Sequence, residues 1–290
     1  MALTIDSYIS LAIALIMFGI GTSLSPKEFN DQFKTPKAIF LGLILQLLLL
    51  PAIALLVSSF SSLSDELKMG IFIVSICPGG ATSNFISYIV KADTALSVTL
   101  TGLNSFLILI TVPILLEFGL NVYHLTDVDG KLVLGASIFK LLSLLIFPIF
   151  LGVLFNSKQP QLASKIKFPV KVVTTILLAV VFGIKFFGAT TIGGSGIQTE
   201  EILGLLGPCI SVHFISMIGS YLISKKCKVN ILQSITIAIE VGLQNTALAL
   251  LICSDLLNSN ELSKPALVIA LFSFFTTLVF AYLSKKFQNV

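Results

Sequence analysis

The sequence predicts an all-α polytopic membrane protein, and three observations carry that prediction. Of 290 residues, 56% are hydrophobic and only 11% are charged, too few charges to cover the surface of a soluble domain of this length. The mean hydropathy of +1.02 shows that apolar residues run through the whole chain and do not form a single anchor. The apolar runs are continuous, as from Leu41 to Leu50 with only Gly42 and Gln46 between, whereas the strands of a membrane barrel alternate apolar and polar residues.

A helix needs about 20 apolar residues to cross the hydrocarbon. Nine such stretches occur, at 5–24, 38–60, 67–90, 94–118, 132–155, 167–188, 201–223, 230–254 and 264–284, and together they leave no room for a soluble domain. The first has no basic residue before it and no small-residue cleavage site, so it reads as a retained helix and not as a signal peptide.

The connections fix an orientation. Lys27, Lys34, Lys37, Lys91, Lys158, Lys165, Lys167, Lys171, Lys225, Lys226, Lys228, Lys285 and Lys286 fall on one side, and Lys68, Lys131 and Lys264 on the other. By the positive-inside rule the N-terminus is outside and the C-terminus cytoplasmic. The net charge of +4 is therefore an orientation signal and not a nucleic-acid footprint. The all-lysine basic set points to an AT-rich, bacterial genome, and hence to the bacterial inner membrane. Cys77, Cys209 and Cys253 lie in apolar stretches and Cys227 between two lysines, which suggests no disulfide framework.

The third span carries Cys77-Pro78-Gly79-Gly80-Ala81-Thr82-Ser83-Asn84. Pro78 removes a backbone donor, and Gly79 and Gly80 permit dihedrals a helix does not need. A lone proline is a packing kink, as expected at Pro51, Pro113 and Pro148. Three breakers followed by a polar run should unwind the helix, and unwound backbone at that depth must be satisfied by protein or by a wet cavity.

The eighth span carries Glu240-Val241-Gly242-Leu243-Gln244-Asn245. A charge at the helix centre costs about 2.5–3.5 kcal/mol on insertion scales, so Glu240 is protonated, paired with a lysine or bound to a cation. The chain has no arginine, and Lys140 and Lys185, the latter near an outer end, are the only lysines within spans. The amide oxygens of Gln244 and Asn245, with carbonyls freed at Gly242, favour a cation. By the topology, spans 2–4 and 7–9 run in opposite directions, each triplet with a broken helix in the middle. That is the pattern of inverted repeats, whose sites lie near the midplane where discontinuous helices meet.

On these two motifs, together with Met17-Phe-Gly-Ile-Gly-Thr-Ser-Leu-Ser-Pro26, the chain resembles the bile acid:sodium symporter family over nearly its whole length. The resemblance implies a nine-helix fold with two discontinuous crossing helices. Its core domain would comprise residues 36–120 and 200–286, and its panel domain residues 1–30 and 131–190. It implies sodium as coupling ion at two sites, with no other cofactor. The first site would use Ser83, Asn84, Ser97, Thr101 and Glu240; Ser97 and Thr101, four apart, share a helix face. The second would use Gln46, Glu240 and Gln244, with the carbonyls of Val241 and Leu243. Expected polar contacts to the substrate, a small organic anion, are Thr82, Asn84, Asn245 and Thr276, with helix-terminal amides attracting its charge. Ala81 and Thr276 depart from residues common in the family, and both departures bear on the substrate.

The function so implied is sodium-coupled symport of organic anions by alternating access, within the range of bile acids, steroid sulfates, pantoate and 2-keto acids. Proton-coupled anion transport, with Glu240 as proton carrier, is the alternative. No HExxH, Gly-x-Ser-x-Gly or Asp-rich metal motif occurs, so an enzyme is not expected. The expected partners are the substrate anion and the lipid bilayer, with no nucleic acid, and a monomer fits the reading. His124 reads as a solvated loop residue, and Asp127 and Asp129 as a turn with too few ligands for calcium. His213, inside the seventh span, reads equally as a structural or a functional group.

Overall fold

The computed structural model describes residues 36–125 and 147–287, with nine positions between 10 and 22. The first predicted span, most of the fifth, Lys140, Asp127 and Asp129 therefore lie largely or wholly outside the described residues.

Helix α1 spans Pro36–Ser59. Proline opens it where an N–H would have no partner anyway. Further along, Pro51 cannot donate to the carbonyl four residues back. The helix widens just before it into a π turn over Leu45–Leu49, in which Leu50 donates to the Leu45 carbonyl. Helix α2, Asp65–Ser75, starts at Ser64, whose side chain accepts from the Leu67 amide, with Asp65 and Glu66 at the positive end of the dipole. The chain then unwinds through Cys77–Gly80 and resumes as α3, Ala81–Ile89. Lys91 reverses the chain with φ 53°. Asp93 then caps α4, Thr94–Val122, accepting from the Leu96 amide at 2.9 Å. Helix α4 bends by 62° between Thr94–Ile108 and Ile110–Val122. The bend sits four residues before Pro113, where the proline ring meets the preceding turn.

Helices α5, Phe147–Lys158, and α6, Pro160–Phe187, follow. Helix α7, Thr199–Lys226, begins with a reciprocal capping box between Gln198 and Glu201. Helix α8, Ile231–Gly242, is capped by Asn230 and breaks at Leu243–Asn245. Helix α9, Thr246–Leu251, runs into a second π turn, Ile252–Leu256. Helix α10 spans Asn260–Lys286.

Among the described residues, five helices are long and apolar enough to cross a membrane, or six with the bent α4 taken as one span. The broken pair α2 and α3 occupies the predicted third span. Two discontinuous helices are therefore present, in the stretches where Pro78–Gly80 and Gly242 predicted them.

The surface has the polarity of a lipid-facing one. Phe40, Ile44, Leu48 and Leu56 form an exposed stripe along α1, and Phe106, Ile110, Ile114 and Phe118 another along α4. Inside, by contrast, lie Gln46, Ser97, Thr101, Asn104, His213 and Glu240. The chain is a multi-pass membrane protein. Helix α8 is its axis, packed against α1, α3, α4, α7 and α10. Lys264 on α10, buried, pairs with Glu201 on α7 at 2.7 Å and with Glu261 at 2.6 Å, joining the starts of two neighbouring helices. At the opposite end of α10, the Lys285 amine donates to the Val90 carbonyl just past α3 at 3.0 Å. Lys185, expected near a helix end, lies in the last turn of α6 and is buried.

The contact between α2 and α10 depends on Gly70, where a Cβ would stand 2.5 Å from the Leu262 carbonyl oxygen. Gly70→Ala is expected to lower stability by about 1–3 kcal/mol, read as thermal unfolding in detergent. Gly219→Ala, with nothing within 4 Å of the added carbon, should leave the melting temperature unchanged.

Candidate functional site

The two breaks cross. The backbone amide of Asn245, in the second break, donates to the Cys77 carbonyl, in the first, at 3.2 Å. The second resumed helix is capped by the Asn245 side chain, which accepts from the Leu248 amide at 3.1 Å, and at the start of the first the Ser83 hydroxyl donates to the Gly80 carbonyl at 2.7 Å. The freed backbone groups thus find partners inside the protein, as hydrocarbon surroundings require.

Glu240, 1% exposed, lies at this crossing. Ser97 of α4 donates to its Oε1. Thr101, one turn on, lies 3.3 Å from Oε1 and 3.2 Å from Oε2. The same two hydroxyls also reach the Oδ1 of Asn84, at 2.8 Å from Ser97 and 3.2 Å from Thr101. The Ser83 side chain adjoins the carboxylate as well. The acceptors outnumber the donors: the three hydroxyl protons of Ser83, Ser97 and Thr101 face three oxygens of Asn84 and Glu240 and the Gly80 carbonyl, and the hydroxyl oxygens themselves add to the cluster. Such a surplus of converging oxygens suits a hard cation.

A second group of oxygens flanks Gly79. A Cβ there would lie 2.8 Å from Glu240 Oε2, 3.0 Å from the Leu243 carbonyl and 3.2 Å from the Glu240 carbonyl. The glycine is required by this close approach. It is not required by its dihedrals, since among the described residues the positive-φ glycines are Gly193 and Gly196, and Gly80 at φ −135° is ordinary extended backbone. The Gln244 amide donates to the Val241 carbonyl at 2.8 Å. Gln46, presented by the π turn of α1, is 2% exposed, and neither its Oε1 nor its Nε2 has a protein partner.

Beside the crossing lies a cavity of about 450 Å³, between α6 and the first half of α10. Phe182, Phe186 and Phe187 of α6 and Leu267, Leu271 and Phe274 of α10 form its apolar wall. Its polar lining is Thr82, Gln244, Thr246 and Ser273. A smaller pocket on the other side of the crossing is lined by Pro78, Gly79, Ser105 and Asn245.

Residues 10–192 match the model of the Sodium Bile acid symporter family. The chain belongs to that family. It is similar to the uncharacterized sodium-dependent transporter YocS of Bacillus subtilis, 28% identical over 248 residues, which are 84% of this chain and 73% of the relative. The human ileal sodium/bile acid cotransporter is 27% identical over 257 residues, 86% of this chain and 69% of that protein. The Arabidopsis thaliana protein named "Probable sodium/metabolite cotransporter BASS1, chloroplastic" is 28% identical over 84% of this chain, which spans 58% of that relative's length. A chain of the symporter family is a transporter and not an enzyme.

The family motifs and the geometry meet at one point. Ser83, Asn84, Ser97, Thr101 and Glu240 form one cluster. Glu240 and Leu243 oxygens flank Gly79, with Gln244 bonded to the Val241 carbonyl beside them. Of the expected anion contacts, Thr82 lines the large cavity and Asn245 the small pocket. Asn84 faces Ser97 and Thr101, and Thr276 bonds to His213. Thr246 and Ser273 were not singled out from the sequence. The signals were available: Thr246 directly follows the second motif, and Ser273 lies one turn before Thr276 on the same helix. His124 is exposed in a turn with φ 53°. All four cysteines are free.

Gly79→Ala is expected to reduce uptake by about tenfold or more, since its methyl group would push the Glu240 carboxylate away from its contacts with Ser97 and Thr101. Gly80→Ala, whose added carbon lies 3.5 Å from Asn245 Nδ2 in ordinary contact, should retain uptake. Transport by both variants in proteoliposomes checks the pair.

Proposed function

We propose that the protein is a sodium-coupled symporter of organic anions working by alternating access. The observation that carries this reading is the oxygen surplus around Glu240, at the crossing of two broken helices. Sodium supplies the positive charge that this cluster lacks. One ion would be held by Ser83, Asn84, Ser97, Thr101 and Glu240. The other would be held by Gln46, Glu240 and Gln244 with the carbonyls of Val241 and Leu243. The buried amide of Gln46, without a protein partner, supports the second cradle.

With Glu240 neutralised, the crossing becomes hospitable to an anion. The amides at the start of α3 present positive potential, and Thr82 stands at that end beside the cavity. The phenylalanine-rich wall suits an amphipathic substrate with an apolar body and one anionic end. A core of residues 36–120 and 200–286 would rock against a panel of residues 1–30 and 131–190, exposing the site to each side in turn. The packing of α8 supports this division: its neighbours α1, α3, α4, α7 and α10 all fall within the core so defined. The lysine distribution supports a bacterial inner-membrane location, N-terminus outside and C-terminus in the cytoplasm.

The test is binding of taurocholate, pantoate, a 2-keto acid and a steroid sulfate to purified protein, in sodium and in potassium at constant pH. Binding of one anion only in sodium is the expected result. Equal binding in both salts, with uptake driven by a pH gradient, would overturn sodium coupling and favour Glu240 as a proton carrier. Glu240→Ala and Gln244→Ala should each abolish sodium-dependent uptake, and Thr101→Val should raise the sodium concentration for half-maximal uptake by about tenfold.

A further inference from the structure

His213, in the middle of α7, is 1% exposed and makes two hydrogen bonds that join separate elements. Its Nδ1 lies 2.9 Å from the Gly242 carbonyl oxygen. Its Nε2 lies 2.8 Å from the Thr276 hydroxyl on α10. A carbonyl only accepts, so Nδ1 carries the proton and donates. In the neutral ring Nε2 then accepts, and the Thr276 hydroxyl, which also lies 2.9 Å from the Phe272 carbonyl and 3.1 Å from the Ser273 carbonyl of its own helix, gives its one proton to the ring at 2.8 Å. Phe214 and Phe272 pack edge-on against the ring at centroid distances of 5.2 and 5.5 Å and hold its plane.

The identity of the accepting carbonyl gives this bridge its meaning. Gly242 is the last residue of α8. In a continuous helix its carbonyl would accept from the residue-246 amide, but the Thr246 amide turns to the Gln244 carbonyl at 3.1 Å. His213 takes the vacated position. On either side of Gly242 stand Val241 and Leu243, whose carbonyls belong to the second cation cradle in the symport reading. Restraining the Gly242 peptide restrains both. At its other end the bridge reaches Thr276, one turn beyond Ser273 in the cavity wall.

We infer that His213 is a positioning residue that sets the carbonyls of the second sodium cradle and couples them to the cavity helix α10. The inference rests on the sodium-symport reading. Outer-shell partners of metal ligands change affinity by about 10–100-fold when removed, and the same order applies here.

The test uses thermal unfolding of the full-length protein in detergent, titrated with sodium chloride against equal potassium chloride. A ligand that binds the native state raises the melting temperature with its concentration. His213→Leu is expected to raise the sodium midpoint by about tenfold. Thr276→Val, which leaves the bond to Gly242 in place but removes the donor to Nε2, should raise it by a smaller factor and carries the test if His213→Leu does not fold. A lower melting temperature in potassium with a sodium midpoint unchanged in both variants would make His213 a packing residue and overturn the inference. A shift in His213→Leu with none in Thr276→Val would overturn the coupling to α10. No sodium response in the unmodified protein would overturn the symport reading, and this inference with it.

Discussion

A carboxylate in the middle of a membrane is the constraint on which the rest of this structure depends. Glu240 sits on the most buried of the candidate spans, where an uncompensated charge is strongly unfavourable. The neighbouring residues answer that penalty. Ser97 and Thr101 put hydroxyls against it from α4, Asn84 contributes an amide oxygen from α3, and Gly79 omits a side chain so that the first break can pass beside it. None of these groups brings a positive charge. In the symport reading a cation completes the arrangement.

The helix interruptions follow from that requirement. A continuous helix commits its carbonyls to its own amides, so a backbone oxygen can serve a ligand only where the ladder is opened. The chain opens it by several devices. Pro78 and two glycines unwind one span, Gly242 ends another, and π turns at Leu45–Leu49 and Ile252–Leu256 widen two more stretches. In each break the groups that do not face the oxygen clusters are satisfied locally, by the Asn245–Cys77 backbone bond, the Asn245 cap and the His213 bridge. The bend of α4 before Pro113 is of a different kind. A proline ring within the helix accounts for it, and it lies more than a turn beyond Thr101, the last residue that α4 sends to Glu240.

The cavity follows the same division of labour. Its wall is apolar and aromatic, with two threonines, one serine and one glutamine as the polar lining. In the proposed reading, selectivity for charge falls to the crossing beside it, while the wall selects for apolar bulk. Coupling between ion and substrate requires a physical path between the two. In the proposed reading residues 243 and 244 provide one, since both line the cavity and both belong to the second motif.

Much of this was legible in the sequence. Hydrocarbon leaves few options for a backbone, so spans follow from apolar length, breaks from proline and glycine, and a buried polar cluster from a lone acid among amides. Ser97 and Thr101 could be assigned to one face because helical spacing is local information. The reason for Gly79 was not legible, since it lies in Glu240 and Leu243, far along the chain, and not in its own dihedrals. Nor was the part played by His213, whose two partners come from two other helices, or the turning of Thr276 toward that ring. The membrane class, the places where helices break and the residue types at the site could be read from the chain alone, because they depend on local periodicity and on solvation by lipid. Which oxygens converge on Glu240 and which side chains line the cavity emerged only on folding, because convergence is a property of packed helices whose contacts are distant in the chain.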